Sequence, residues 1–223
     1  MRPTHTKDAI ANEVFLDLAT SLYQLTGNHA DLMWAQREWG WFQASGLIGP
    51  NHLVYDHLTP PGSKGTAACR PQGIQYWTYN QGPILGGLTQ LSAILSKSQP
   101  AAAADLRQAE TIATCVVNRG CGGAANPPLV DASDILTEAC KTSPCTYAPA
   151  YQFKGIFVRN LGQLNAVDGS YTAFLAANAA ALWAGRNAQN LFGFYWDARP
   201  AFYLPAGGLA PVEGSALDLL TRS

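Results

Sequence analysis

Charge is what this sequence has least of. Asp, Glu, Lys and Arg make up 13% of its 223 residues, against a usual share of roughly 25%. The formal net charge is -1 and the Lys and Arg residues form no run, so a nucleic acid or an acidic lipid surface has no basic patch to meet. No uninterrupted apolar stretch is long enough to span a membrane. The opening Met1-Arg2-Pro3-Thr4-His5-Thr6-Lys7 lacks the apolar core of a signal peptide. The expectation is one soluble domain over residues 1–223 that carries no export signal as written. Histidine is also scarce: His5, His29, His52 and His57 all lie far in sequence from the cysteines. The spacing of Cys115 with Cys121 and of Cys140 with Cys145 predicts small disulfide loops of a secreted protein, with Cys69 left over. Free thiols are the first alternative and a metal site the weaker one, since no His is near. No metal or cofactor is expected.

Hydrophobic residues reach 48%, which implies a large interior under a surface of Ala, Gly, Ser, Thr, Asn and Gln. Apolar periodicity predicts a helix over residues 9–26, with Val14, Phe15, Leu18, Leu22 and Leu25 on one broad face and Gly27 as its stop. Asn28 caps a second helix that runs to Gly46. A long connection over 47–75 contains a possible strand at 53–56 and a Pro60-Pro61-Gly62 turn. The pattern then repeats, with helices over 80–97 and 102–118, and a Gly/Pro/Cys-rich connection to 149 that includes a strand-like 134–138. A fifth helix with Phe153, Ile156, Phe157, Leu161 and Leu164 inward turns at Asp168-Gly169-Ser170 into a sixth over 171–189, and 215–221 is weakly helical. This is an all-α pattern of about three helical hairpins. Short turns fall at one end and long loops at the other.

Function concentrates where long loops meet a rigid scaffold. That end gathers Asn12 and Glu13, then Trp77-Thr78-Tyr79-Asn80-Gln81-Gly82, then Phe153, Lys154 and, a turn further in, Arg159. Aromatic faces stack on the C–H faces of sugar rings, and amides offer both donors and acceptors, so the block at 77–82 suits an array of sugar hydroxyls. The competing reading is a buried Trp-Tyr pair with Asn80 as a helix cap.

Laid out in order, several segments resemble glycoside hydrolase family 76, the endo-acting α-1,6-mannanases. They are Lys7-Asp8-Ala9-Ile10-Ala11-Asn12-Glu13, residues 22–27, residues 46–56, Trp77-Thr78-Tyr79-Asn80-Gln81-Gly82, Ile135-Leu136-Thr137-Glu138 with Cys140, and Phe153-Lys154-Gly155-Ile156-Phe157-Val158-Arg159. Together they cover about residues 7–196. The resemblance implies an (α/α)6 toroid, of which about three hairpins are present here as an incomplete ring. It implies a mannan or other mannose-containing glycan as partner, and an extracellular or cell-surface location. It also implies that Trp77 and Tyr79 wall the mannose rings, that Asn80 and Gln81 bond hydroxyls, and that Asn12 and Glu13 line the floor, with Glu138 and Lys154 contributing. The family's adjacent catalytic aspartates lie upstream of the segment matched by residues 7–13, and this sequence has no Asp-Asp. The resemblance therefore leads to a hydrolase or transglycosylase whose catalytic pair has no counterpart here, or to a non-catalytic mannan-binding protein. Retaining glycoside hydrolysis needs two carboxyl groups about 5–5.5 Å apart, and Glu13 with Glu138 is the best substitute pair. An open half-ring also predicts exposed apolar faces on the first and sixth helices, and self-association through them.

Overall fold

The computed structural model describes residues 6–60, 69–72, 76–95, 99–119, 121, 128–138, 140, 145–197 and 202–222. Helix α1 (Ala9–Thr26) contains no Gly or Pro and stops at Gly27, whose φ of 68° is one an L side chain rarely takes. Asn28 then accepts the Ala30 N–H at 3.1 Å and starts α2 (His29–Ser45). Helices α3 (Pro83–Ile94), α4 (Pro100–Val117), α5 (Phe153–Asp168) and α6 (Thr172–Ala184) follow, and α7 (Leu209–Leu220) closes the chain. Packing runs from α1 to α3 to α5 to α7, with α2 against α1 and α4 against α3. The molecule is thus an arc of four inner helices backed by outer ones.

The inner helices touch through backbone. A Cβ on Gly155 of α5 would lie 2.6 Å from the Ser215 Cα of α7, and one on Gly82 would lie 2.9 Å from the Ile156 carbonyl oxygen of α5. The outer layer is pinned by a polar bond in the core, where the Trp39 indole N–H donates to Asp105 Oδ1 at 2.7 Å and joins α2 to α4. The inward face of α1 is Ala9, Glu13, Leu16, Ala19 and Thr20. Its apolar stripe of Val14, Phe15, Leu18, Leu22 and Leu25 faces outward, with Leu25 83% exposed. On α6, Ala173, Ala176, Ala177 and Ala180 are exposed as well.

Several boundaries differ from the sequence expectation. A 3-10 turn, Thr78–Gln81, precedes α3, where helix was expected from 80. The sixth helix ends at Ala184, five residues early, because the Gly185 N–H bonds back to the Ala181 and Leu182 carbonyls and the Asn187 side chain captures the N–H groups of Gln189 and Leu191. In contrast, α7 is longer than the weak signal at 215–221. The segments at 53–56 and 134–138 each supply only an isolated bridge, Ile48 with Val54 and Val130 with Leu136. A small antiparallel sheet forms instead from β1 (Lys7–Asp8), β2 (His57–Thr59) and β3 (Arg70–Gln72), in the order β1-β2-β3. The Pro61-Gly62 part of the expected turn, the third helix's expected end at Lys97, Gly120, and Lys141-Thr142-Ser143-Pro144 lie outside the described residues.

Gly155→Ala should destabilise the protein by about 1–3 kcal/mol, because the added methyl meets backbone that side-chain rotation cannot clear. Gly40→Ala, inside α2 with nothing within 4 Å of the new Cβ, should be neutral or stabilising by up to about 1 kcal/mol. Urea unfolding of the two variants checks this, and equal effects would show that α5 and α7 do not pack backbone to backbone.

Candidate functional site

The starts of α1, α3 and α5 meet at one end, and two long connections are bonded onto them. Gln81, fully buried, accepts the Val54 N–H at 2.8 Å and donates to the Val54 carbonyl at 2.9 Å and to that of Trp77 at 3.2 Å. Its amide is therefore spent on backbone. Glu138, also buried, accepts from the Thr78 hydroxyl and from the Thr78 N–H at 3.3 Å. Lys154, 2% exposed, donates to the Phe194 carbonyl at 2.5 Å and lies over the Trp196 and Phe194 rings at 4.5 and 4.8 Å.

Four aromatic rings gather on this frame. Tyr79 and Phe153 have ring centroids 4.1 Å apart, Trp77 lies 5.6 Å from Phe153, and Tyr147 lies 5.5 Å from Trp77. Phe153 is buried, Trp77 and Tyr79 are partly buried, and Tyr147 is half exposed. The Tyr79 hydroxyl donates to Asp56 Oδ1 at 2.6 Å, and His57 Nδ1 lies 2.9 Å from Asp56 Oδ2. Burial first, and then the Asp56 carboxylate, hold the Tyr79 phenol far above its ordinary range. Partly exposed Asp56, together with Tyr147, is what sequence reasoning missed. Asp56 sits in a matched segment without any motif of its own, and Tyr147 sits in a connection whose composition gives no signal.

Glu13 is fully buried, and neither carboxyl oxygen has a partner. The Asn80 amide is equally buried, close enough to the Tyr79 hydroxyl to favour its ionised form but without a well-formed hydrogen bond. Burial pushes Glu13 well above the usual carboxylate range, and the nearby Asp56 charge adds to this. Burial also raises Glu138, to about 8, against the lowering pull of the Thr78 hydroxyl, the Lys154 charge and the Thr78 N–H. Half-buried Asn12 donates its amide to the Asp8 carbonyl at 2.7 Å. Exposed Arg159 stands apart from the aromatic cluster, within electrostatic reach of Asp17 on α1 and Asp218 on α7. Trp77, Tyr79 and Phe153 are thus brought together, and Gln81, Glu138 and Lys154 are buried behind them. Neither Glu13 nor Glu138 presents a free carboxylate at the surface.

An arc of antiparallel helix pairs with its long loops and an aromatic cluster at one end is the architecture of part of a helical toroid. The chain belongs to glycosyl hydrolase family 76, whose family model matches residues 2–210. Among curated proteins it is 36% identical over 87 residues to a mannan endo-1,6-alpha-mannosidase, DCW1, of Eremothecium gossypii, a match covering 37% of this chain and 18% of that protein. The Candida albicans enzyme of the same name is 33% identical over 87 residues, covering 38% and 18%. Among solved structures, the α-1,6-mannanase of Salegentibacter sp. HEL1_6 superposes with a TM-score of 0.73 at 22% identity, covering 98% of this chain and 60% of that one. An inactive variant of that enzyme, with two consecutive aspartates replaced, was solved in complex with an α-1,6-linked mannotetraose. A Listeria innocua protein superposes with a TM-score of 0.72 at 20% identity, covering 97% and 56%. The fold is therefore that of the family's (α/α)6 toroid, and this chain spans about three-fifths of the solved structures and about a fifth of the curated relatives it matches.

The raised carboxyls set a pH dependence. From the unfolded carboxylate value, about 4.3, up through the folded values of Glu13 and Glu138, the native state holds more protons than the unfolded one. Their contribution to stability is therefore complete below that window and is lost as pH rises through it. The melting temperature should fall between pH 5 and pH 8, and Glu13→Gln should flatten the fall. Parallel melting curves for the two proteins would show that Glu13 ionises without cost.

Proposed function

We propose that this chain carries the glycan-holding end of an α-1,6-mannan glycoside hydrolase or transglycosylase, and that alone it binds mannan oligosaccharides without cleaving them. The carrying observation is the aromatic wall of Trp77, Tyr79 and Phe153 beside the Asp56 carboxylate, in a chain of family 76. Apolar ring faces suit the C–H faces of sugars, and the carboxylate and the Asn12 amide suit hydroxyls. Binding without turnover is supported by the state of the two acids best placed in sequence. Glu13 is sealed in the core, and Glu138 is bonded to Thr78. A retaining pair must instead flank the scissile bond with both carboxyl groups open to it.

The alternative, a relic binding protein with no catalytic counterpart, gives the same behaviour for the isolated chain. The two readings differ in whether further chain restores turnover. The disulfides Cys115–Cys121 and Cys140–Cys145 support an oxidising location, outside the cell or at its surface. The outward stripe of α1, with the exposed Ala face of α6, supports self-association.

The purified chain should bind α-1,6-linked mannotetraose by calorimetry and release no product from α-1,6-mannan in the same samples. Turnover would overturn the binding-only reading and make Asp56 and Glu13 the first residues to change, while absence of binding in folded protein would remove the glycan role. In sedimentation velocity the chain should populate a dimer or larger species, and Leu18→Glu, on the outward stripe, should return it to monomer. A monomer across the micromolar range would show that the stripe is unpartnered.

A further inference from the structure

Among the four rings of the aromatic wall, the one turned most to solvent is not on the Trp77 block. Tyr147 is 50% exposed, whereas Phe153 is 7% exposed and Trp77 and Tyr79 are partly buried. Tyr147 lies against Trp77 at 5.5 Å and edge-on to Phe153 at 6.3 Å. Its hydroxyl is also unspent. The hydroxyls of Tyr76, Tyr79, Tyr151, Tyr171 and Tyr203 each donate to a protein acceptor, and that of Tyr195 accepts the Cys145 N–H. Among the described residues no hydrogen bond holds the Tyr147 hydroxyl. A half-exposed ring backed by Trp77, with an idle hydroxyl at its tip, has the makings of a sugar-stacking platform.

The chain just before Tyr147 is fastened unusually firmly for a surface connection. The Cys145 N–H donates to the Tyr195 hydroxyl at 3.0 Å, and the Cys145 carbonyl accepts from Tyr203 at 3.0 Å and from Tyr151 at 3.4 Å. The Cys140–Cys145 disulfide ties this anchor to the Glu138 side of the loop, where the Cys140 N–H bonds the Glu138 carbonyl at 2.8 Å and the Glu138 side chain grips Thr78. Both arms of the disulfide loop therefore end on the Trp77 block, one through Glu138 and one through Tyr147.

We infer that Tyr147 is the ring that meets the glycan, with Trp77 as its backing, and that the Cys140–Cys145 disulfide holds Tyr147 in that position. The inference rests on the glycan-holding reading above and changes which residue touches the sugar. It adds a reduction-sensitive element to the same site.

The test is calorimetry with α-1,6-linked mannotetraose on wild type, Tyr147→Ala, Tyr147→Phe and Trp77→Ala, each shown to be folded by its melting curve. Tyr147→Ala should weaken binding about threefold to tenfold, the worth of one aromatic contact, and Tyr147→Phe should lose less because it keeps the ring. Trp77→Ala should lose at least as much as Tyr147→Ala. Wild type and Tyr147→Ala are then measured after dithiothreitol has opened Cys140–Cys145 to two thiols, itself closing to a cyclic disulfide, as confirmed by mass. Reduction should weaken wild type towards the level of Tyr147→Ala and leave Tyr147→Ala unchanged, a comparison that also discounts any effect of opening Cys115–Cys121. If Tyr147→Ala binds like wild type while Trp77→Ala is weakened, the inference is overturned and the glycan-holding site stands. If wild type does not bind, both fall. Equal weakening of wild type and Tyr147→Ala on reduction would overturn the role of the disulfide. Should Tyr147→Ala fail to fold, Tyr147→Gln replaces it with the same expectations.

Discussion

The long-loop end depends on a side chain that behaves as backbone. The Gln81 amide both accepts from and donates to Val54, as a neighbouring strand would, and it does so where water cannot substitute. Removing it would leave a buried N–H and a buried carbonyl unmatched, at about 1–3 kcal/mol each. Much of the first long connection hangs on that pairing. With Val54 held, Asp56 comes under the Tyr79 hydroxyl, and its carbonyl accepts the first helical N–H of α1, that of Ala9, at 2.9 Å. The next residue, His57, pairs with Asp8 in the small sheet. One amide thus couples the start of α1 to the turn that starts α3.

Glu138 repeats the device for the second connection, with a carboxyl group in place of an amide. Its grip on Thr78 binds the loop over 128–138 to the same 3-10 turn. The Trp77 block is therefore clasped from both sides by the two long connections. Below it the inner helices approach so closely at Gly82 and Gly155 that backbone meets backbone, which leaves the turn no room to sink. An aromatic wall built on such a base is held rigid before any ligand arrives, and a rigid wall gives up less entropy on binding.

The helices were legible because their signals are local. Gly27 and Gly46 end α1 and α2 where expected, and Asn28 caps α2. The meeting of Trp77, Tyr79 and Phe153 followed from loop lengths alone, since alternating short and long connections bring alternate helix starts to one end. The inward face of α5 was read correctly, with Phe153, Phe157, Leu161 and Leu164 all buried, but periodicity alone did not show what lies on the buried side of α1. The stripe of Val14, Leu18, Leu22 and Leu25 is the most apolar face of α1, yet the buried face carries Glu13 and Thr20. Periodicity reports where apolar residues are, and not which neighbour is present to cover them. Asp56 and Tyr147 were illegible for another reason. Their importance comes from partners 23 and 70 positions away in sequence, Tyr79 and Trp77, and no spacing rule reaches that far.

The burial of the acids changes what the Trp-Thr-Tyr-Asn-Gln-Gly block means. A polar residue beside aromatics invites a role in touching ligand, but Gln81, Glu138 and Lys154 each end on a protein group. Glu13 lies beneath the surface with no hydrogen-bond partner, and Asn80, equally buried, has none beyond its approach to the Tyr79 hydroxyl. A carboxyl group in that position favours its neutral form, because burial penalises the charge and the nearby Asp56 repels it. Such a group is unsuited to attack an anomeric carbon. Gln81 of the block, with Glu138 and Lys154 behind it, therefore serves as the frame, and the part that reaches the surface is left to Trp77, Tyr79, Tyr147 and Asp56. This division explains how one short motif can be dense in polar residues and still present a mostly aromatic wall.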